Sequence, residues 1–193
     1  MIGFETIAEF SGEALRKGRA GNSLRLSHVV DVVGAIAVQQ AWHGDGKVSQ
    51  FHWPAVFNRN PGASTFVLHS GDKPETVEAM VQVRDNCFVP CDRGSRGPLA
   101  YVGFIEVAPW NATGRLERRF YGLGTFLVLI VSAMAVNRGA SGGVGLHSLP
   151  DAAGFYQRLG FTAVDCLNEY KELYLELSDA RALELRKKNG VVI

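Results

Sequence analysis

Arg119-Phe120-Tyr121-Gly122-Leu123-Gly124 runs straight into an apolar stretch from Thr125 to Val136. This reads as a glycine-bearing loop entering a buried helix. Upstream, Leu99 to Val107 is apolar at both parities, as a central strand covered on both faces should be. A strand, such a loop and a helix can together hold phosphates. Glycine lets the backbone approach an anion closely, and the unpaired N–H groups of a helix N-terminus point at it. One further strand and helix downstream comes Phe155-Tyr156-Gln157-Arg158-Leu159-Gly160-Phe161. Alone, R-x-x-G-x-G is often mere punctuation before a buried helix. With the second element at this separation, it becomes a specific signal.

The pair resembles the GNAT superfamily of acyl-CoA N-acyltransferases. In that family Q/R-x-x-G-x-G/A binds the coenzyme A pyrophosphate, and a downstream A-x-x-F/L-Y-x-x-x-G-F carries a tyrosine beside the sulfur. Here Arg119, Gly122 and Gly124 fill the first pattern, and Ala152, Phe155, Tyr156, Gly160 and Phe161 fill the second. Val107-Ala108-Pro109 looks like the V-x-P that ends the preceding strand in many members. Two departures stand out. Trp110 to Arg118 is longer than the usual spacer, and Leu149, after Ser148, sits where many members have asparagine.

The resemblance spans residues 99–177 and implies acetyl-CoA (coenzyme A) as cofactor. Backbone N–H groups of Phe120, Tyr121, Gly122, Leu123, Gly124 and Thr125 would hold its phosphates, with Arg119 either adding charge or lying solvated beside Arg118. A bulge near Val107–Ala108 would free an N–H for the thioester oxygen. Phe155 would flank the cofactor, and Ser148 would either hydrogen-bond it or cap the helix from Pro150.

Acetyl transfer to an amine sets further demands. A lysine-type amine has a pKa of about 10.4 and must lose a proton before attacking, while the leaving thiolate, of pKa about 8.5, departs better beside an acid. Tyr156 matches the family tyrosine and is the candidate acid; the competing reading is a core tyrosine next to Phe155. Two base candidates stand: Glu106, at the end of the central strand, and His147, at the end of the next. Their alternatives are an arginine-paired carboxylate and a structural histidine, and a base acting through ordered water stays open. Trp42, His52, Trp53 and Phe57 lie in the half that, by resemblance, covers the acceptor mouth. They either wall that site or anchor the N-terminal helices on the sheet.

Composition narrows the classes. A chain of 193 residues fits one domain at roughly 150 residues per domain, and is long enough to bury a core without disulfide or metal staples. A formal charge of +1 gives no case for nucleic acid or an anionic membrane as partner, and a toxin-like enzyme acting on charged transfer RNA would need a basic surface. The cysteines are Cys87, Cys91 and Cys166, an odd number that fits reduced thiols in a cytoplasmic setting. Their spacing matches no zinc pattern, so no metal is expected. No apolar run reaches the ~18–20 residues of a membrane span, and Glu5, Glu9 and Glu13 break any leader-like stretch.

Along the chain, residues 1–25 read as a strand and a loose connection. Ser27 caps a helix from about His28 to Trp42, with Val29, Val32, Val33, Ile36 and Ala37 on its apolar stripe and Gly44-Asp45-Gly46 ending it. Gln50 to Phe57 reads as a short helix or ordered loop. Thr65–His69 and Val77–Arg84 form a hairpin, and Asn86–Pro98 is a loop, mobile or functional. A helix from Gly122 to Asn137, a strand Gly142–His147 and a helix Pro150–Leu159 follow. Strands Phe161–Val164 and Tyr170–Leu177 come next, then a last helix capped by Ser178-Asp179 and closed by Gly190.

The expected fold is α/β of α+β type: a GNAT-like three-layer sandwich with a mixed, mostly antiparallel sheet flanked by helices. It would form a single domain, with acceptor-side helices and a hairpin in 1–98, the acetyl-CoA-binding core in 99–177 and a C-terminal helix in 178–193. The expected function is an acetyl-CoA-dependent N-acetyltransferase acting by direct transfer on an amine of undetermined identity; a homodimer is compatible with it. The alternative is a catalytically silent coenzyme A-binding module of regulatory or interaction type.

Overall fold

The structure, a computed structural model, describes residues 4–10, 23–43, 51–71, 73, 76–87, 98–112, 118–167 and 171–191. Its strands are β1 (Phe4–Phe10), β2 (Leu24–Val29), β3 (Ser64–Ser70), β4 (Val77–Cys87), β5 (Leu99–Val107), β6 (Val144–Ser148), β7 (Thr162–Leu167) and β8 (Leu173–Leu177). The helices are α1 (Val32–His43), α2 (Trp53–Arg59), α3 (Leu123–Asn137), α4 (Ala153–Leu159) and α5 (Asp179–Asn189). The strands hydrogen-bond in the order β1-β2-β3-β4-β5-β6-β8-β7. The sheet is mixed, mostly antiparallel and flanked by helices, as expected. Its parallel pair, β5 with β6, is registered over Ala100↔Val144, Tyr101↔Gly145 and Val102↔Leu146. Parallel neighbours need a crossover, which α3 supplies. A connection as short as that from β3 to β4 can join only antiparallel neighbours, so the expected hairpin is present; Ser70 N–H closes it on the Thr76 carbonyl at 3.0 Å.

The chain packs as two compact units, Met1–Gln82 with Phe104–Leu127, and Val83–Gly103 with Val128–Ile193. Strands β4 and β5 and helix α3 each give residues to both.

In the first unit the core gathers Trp42, Trp53, Val56, Val67, Met80 and Ala108, with Phe51, Phe57, Phe104 and Trp110 packed at its margin. Helix α1 corrects the expected stripe. His28 and Val29 belong to β2, and Ser27 is a buried strand residue rather than a cap. The N-terminal cap is Asp31, whose Oδ1 accepts the Gly34 N–H at 3.0 Å. With the helix starting later, its buried line is Ala35, Val38, Gln39 and Trp42, while Val33 and Ile36 are 57% and 38% exposed. The segment is apolar nearly all round, so composition offered several stripes. Packing of the Trp42 ring, whose Nε1–H donates to the Val77 carbonyl at 2.9 Å, selected one. The expected stop at Gly44-Asp45-Gly46 lies outside the described residues, as does most of the Asn86–Pro98 loop.

In the second unit the stretch of α3 from Val128 to Ala135 is buried throughout, and its one polar residue, Ser132, donates to the Gly142 carbonyl at 2.6 Å. Strand β8 departs from the expected alternation: Tyr174, Leu175, Glu176 and Leu177 are all buried, because β6 and β7 flank it and both its faces are covered. Gly145, on β6, faces the tip of Tyr174. An added Cβ there would run into the Tyr174 hydroxyl and stand 3.1 Å from Leu99 Cδ1. Helix α5 follows expectation, with the Ser178 Oγ accepting the Arg181 N–H and Gly190 closing it at φ 64°.

Candidate functional site

Within the first unit, the loop before α3 is built by an in-out-out-in sequence. Phe120 and Leu123 are buried, while Tyr121 and Gly122 between them are exposed. The two anchors hold the bend with its tip in solvent. Gly122 has φ +75°, a backbone state that costs a side-chain-bearing residue, and its carbonyl accepts the Phe126 N–H at 2.9 Å to start the helix. Among the described residues, an added Cβ at Gly122 would meet nothing within 4 Å, so they leave the space over the bend open. Leu123, Gly124 and Thr125 form the first turn, whose N–H groups find no partner within the helix. That turn carries no acidic residue. An open, carboxylate-free helix start fits an anionic group such as a pyrophosphate.

Arg119 is partly solvated and tied into the protein. Its guanidinium lies 3.1 Å from Glu78 Oε1 and 5.4 Å from the centre of the Trp110 ring. Glu78, on β4, is wholly buried, and its Oε2 also accepts from Trp110 Nε1 at 2.6 Å and Asn111 Nδ2 at 2.7 Å. Asn111 Oδ1 in turn accepts the Phe120 N–H at 3.0 Å. The Ala108 N–H donates to the Glu78 carbonyl at 2.8 Å, so the free N–H expected near Val107–Ala108 is not that of Ala108.

Glu106, near the end of β5, accepts the Trp53 Nε1–H on Oε2 at 2.8 Å. Its neighbours Phe51, Trp53 and Phe104 meet edge to face at centroid distances of 5.1–6.5 Å. This revises the idea of an aromatic acceptor wall. Trp42 and Trp53 have no exposed surface, and His52 caps α2 by accepting the Ala55 N–H at 3.3 Å. Both tryptophans anchor helices on the sheet, the plainer of the two readings.

Within the second unit, Tyr156 on α4 is buried between Phe155 and Phe161, with ring centroids at 5.0 and 5.3 Å. Burial alone pushes its phenol up to about 12, so it stays protonated across the physiological range. His147 on β6 shares a 2.7 Å hydrogen bond between Nδ1 and the Tyr101 hydroxyl, and its ring packs on Tyr174 at 5.1 Å. Among the described residues its Nε2 is buried without a partner. Burial lowers its pKa, against a smaller opposing pull from Glu172, and the imidazole is therefore neutral at pH 7. Ser148 Oγ donates to the Leu149 carbonyl at 2.9 Å and caps nothing; the turn at Pro150 begins without a side-chain cap.

Glu78, Asn111 and Tyr101 were not anticipated. The available signal for Glu78 was a carboxylate inside the apolar run Val77–Val83, a place where charge persists only with partners. Among the described residues, no group of three His, Cys, Asp or Glu side chains could hold a metal ion, and no helix is long and apolar enough to cross a membrane.

No family profile and no curated protein matches the sequence. Solved structures do. FeeM, an N-acyl amino acid synthase from uncultured soil microbes, is 17% identical with a TM-score of 0.53, over 86% of this chain and 94% of that one. A tyrosine-to-phenylalanine mutant of the toxin AtaT, bound to the C-terminus of the antitoxin AtaR, is 17% identical with a TM-score of 0.52, over 84% and 97%. A chain of the KacTA–DNA complex is 18% identical with a TM-score of 0.53, over 86% and 99%. At these identities the likeness is one of fold.

Proposed function

We propose, starting from the GNAT fold of this chain, that it is an acetyl-CoA-dependent N-acetyltransferase moving the acetyl group directly to an amine. The observation that carries this reading is the bend Phe120–Leu123, with its exposed glycine at φ +75° opening a helix whose first turn has no carboxylate. Acetyl-CoA, when bound, supplies an activated acetyl thioester. The N–H groups of Gly122 to Thr125 would hold its phosphates. AtaT, which shares the fold, has been seen with acetyl-CoA.

By the resemblance, Tyr156 would supply an O–H at the departing sulfur. With its phenol pushed up to about 12, well above an ordinary thiol, proton transfer from Tyr156 to the thiolate runs uphill. Its contribution would therefore be a hydrogen bond that steadies charge on sulfur, and the thiolate would take its proton from water on leaving the site. The amine must shed its proton to Glu106, to His147 or to water. His147 is neutral and so able to accept, but Nδ1 is engaged with Tyr101.

A second reading, a silent coenzyme A-binding module, draws on one observation. Both base candidates are already hydrogen-bonded, Glu106 to Trp53 and His147 to Tyr101. Calorimetry with acetyl-CoA, followed by thiol release over a panel of amines, tests both readings. Micromolar binding with amine-dependent thiol release is expected; binding without release on any amine favours the silent module, and no binding removes both. The charge of +1 favours a small or protein amine over a nucleic-acid acceptor, and the panel should include aminoacyl-tRNA because toxins share the fold.

A further inference from the structure

We infer that Glu78 is a positioning residue that fixes the coenzyme loop, an inference that rests on the coenzyme A reading above. A fully buried carboxylate is unfavourable unless paired and hydrogen-bonded. Glu78 meets that condition with donors taken from both sides of one stretch of chain: Trp110 and Asn111 just after β5, and Arg119 just before α3. The Asn111 amide is the relay. Its Nδ2 gives to Glu78 while its Oδ1 accepts the backbone N–H of Phe120, two residues before Gly122. Arg119 also lies over the Trp110 ring at 5.4 Å, so the two ends of the stretch touch each other as well as the carboxylate. The loop is thereby tied at its entrance to a central strand by a charge, an amide and an indole.

This arrangement gives the arginine of the R-x-x-G-x-G pattern a second task. One guanidinium nitrogen is committed to Glu78, and 43% of the side chain remains in solvent. Glu78 thus sets where the remaining N–H donors of Arg119 point and where the Phe120–Gly122 backbone starts. Neither can shift without breaking a charge-assisted bond inside the protein.

The test uses the full-length chain and two ligands, acetyl-CoA and S-acetyl-pantetheine, which lacks the pyrophosphate. Glu78→Gln keeps the shape but removes the charge and turns an acceptor into an amide that faces other donors. The expected result is a loss of about tenfold or more in acetyl-CoA affinity, less than about twofold for S-acetyl-pantetheine, and faster hydrogen exchange at the Phe120 amide. Equal losses on both ligands, or a folded variant with unchanged affinity and a protected Phe120 amide, overturn the inference. Trp110→Phe, which keeps the ring and deletes one donor, serves if Glu78→Gln does not fold; an acetyl-CoA loss of about threefold is expected, and none overturns it. Wild-type protein that fails to bind acetyl-CoA at all overturns the coenzyme reading itself, an outcome distinct from failure of the clamp.

Discussion

The two units handle buried polar chemistry in opposite ways. In the first, both carboxylates of interest are satisfied by specific donors: Glu78 by Trp110, Asn111 and Arg119, and Glu106 by Trp53. In the second, Tyr156 and His147 are shifted by removal of water, one up and one down; His147 keeps one hydrogen bond, to Tyr101, and among the described residues its Nε2 has no partner. Hydrogen bonds fix a charged group in place; desolvation without them favours its neutral form. In the first unit, donors hold Glu78 and Glu106 in place; in the second, desolvation favours the neutral forms of Tyr156 and His147.

Breaking the first arrangement should have the largest effect. Trp53→Leu opens space in a closed core and strips a donor from Glu106, for a loss of about 3 kcal/mol in urea unfolding. A raised acceptor KM with unchanged stability would instead restore the binding role for Trp53. Tyr156→Phe comes next, with kcat down roughly 100-fold, about 2.7 kcal/mol, and packing kept. It carries a pH signature too. The folded phenol ionises near 12 and the unfolded one near 10, so wild-type stability holds below pH 10 and falls as pH rises from 10 to 12. That part of the slope should vanish in the variant, and an unchanged alkaline profile would place the hydroxyl in contact with water.

Gly122→Val sharpens the comparison from the ligand side. The bend has room for the side chain but not for its φ, and the branched group would cover the open N–H groups. Acetyl-CoA affinity should fall by about tenfold or more, or about 1.4 kcal/mol, with the fold retained; undiminished binding would detach the bend from phosphate recognition. The smallest effect belongs to His147. Its folded pKa lies below that of the unfolded chain, so the native state loses stability as pH drops below 6.5. His147→Gln should flatten that acid limb, read from urea midpoints at pH 7.5 and 5.

The sequence was most legible where a local pattern and the fold agree. Strand β5 occupies the residues its two-sided apolar pattern marked out, Ser178 and Gly190 bracket α5, and α3 follows its glycines. The loop–helix and Phe-Tyr elements also pointed to the right fold. Legibility ended where a partner lies far along the chain. Glu78 finds its donors 32 to 41 residues away, and nothing around Val77 says which residues they will be. Helix α1 failed for a different reason. With apolar residues on several faces, only the Trp42 contact chooses the inward one, and Val33 and Ile36 were misplaced as a result.

Gly145 carries a consequence for how this protein can change over time. Because a methyl group at that position would collide with the Tyr174 hydroxyl, the two residues cannot vary independently. Tyr174→Phe comes at no steric cost and removes the colliding hydroxyl, which leaves the ring Cζ at 3.0 Å and Leu99 Cδ1 at 3.1 Å from an alanine methyl at 145, close contacts that still ask for a small shift. Geometry therefore favours a route from Gly–Tyr to Ala–Phe through Gly–Phe, which has no clash, over one through Ala–Tyr, which has the most severe. Comparing the folding yields of Gly145→Ala, Tyr174→Phe and the double variant would expose that preference, with Gly145→Ala alone the poorest.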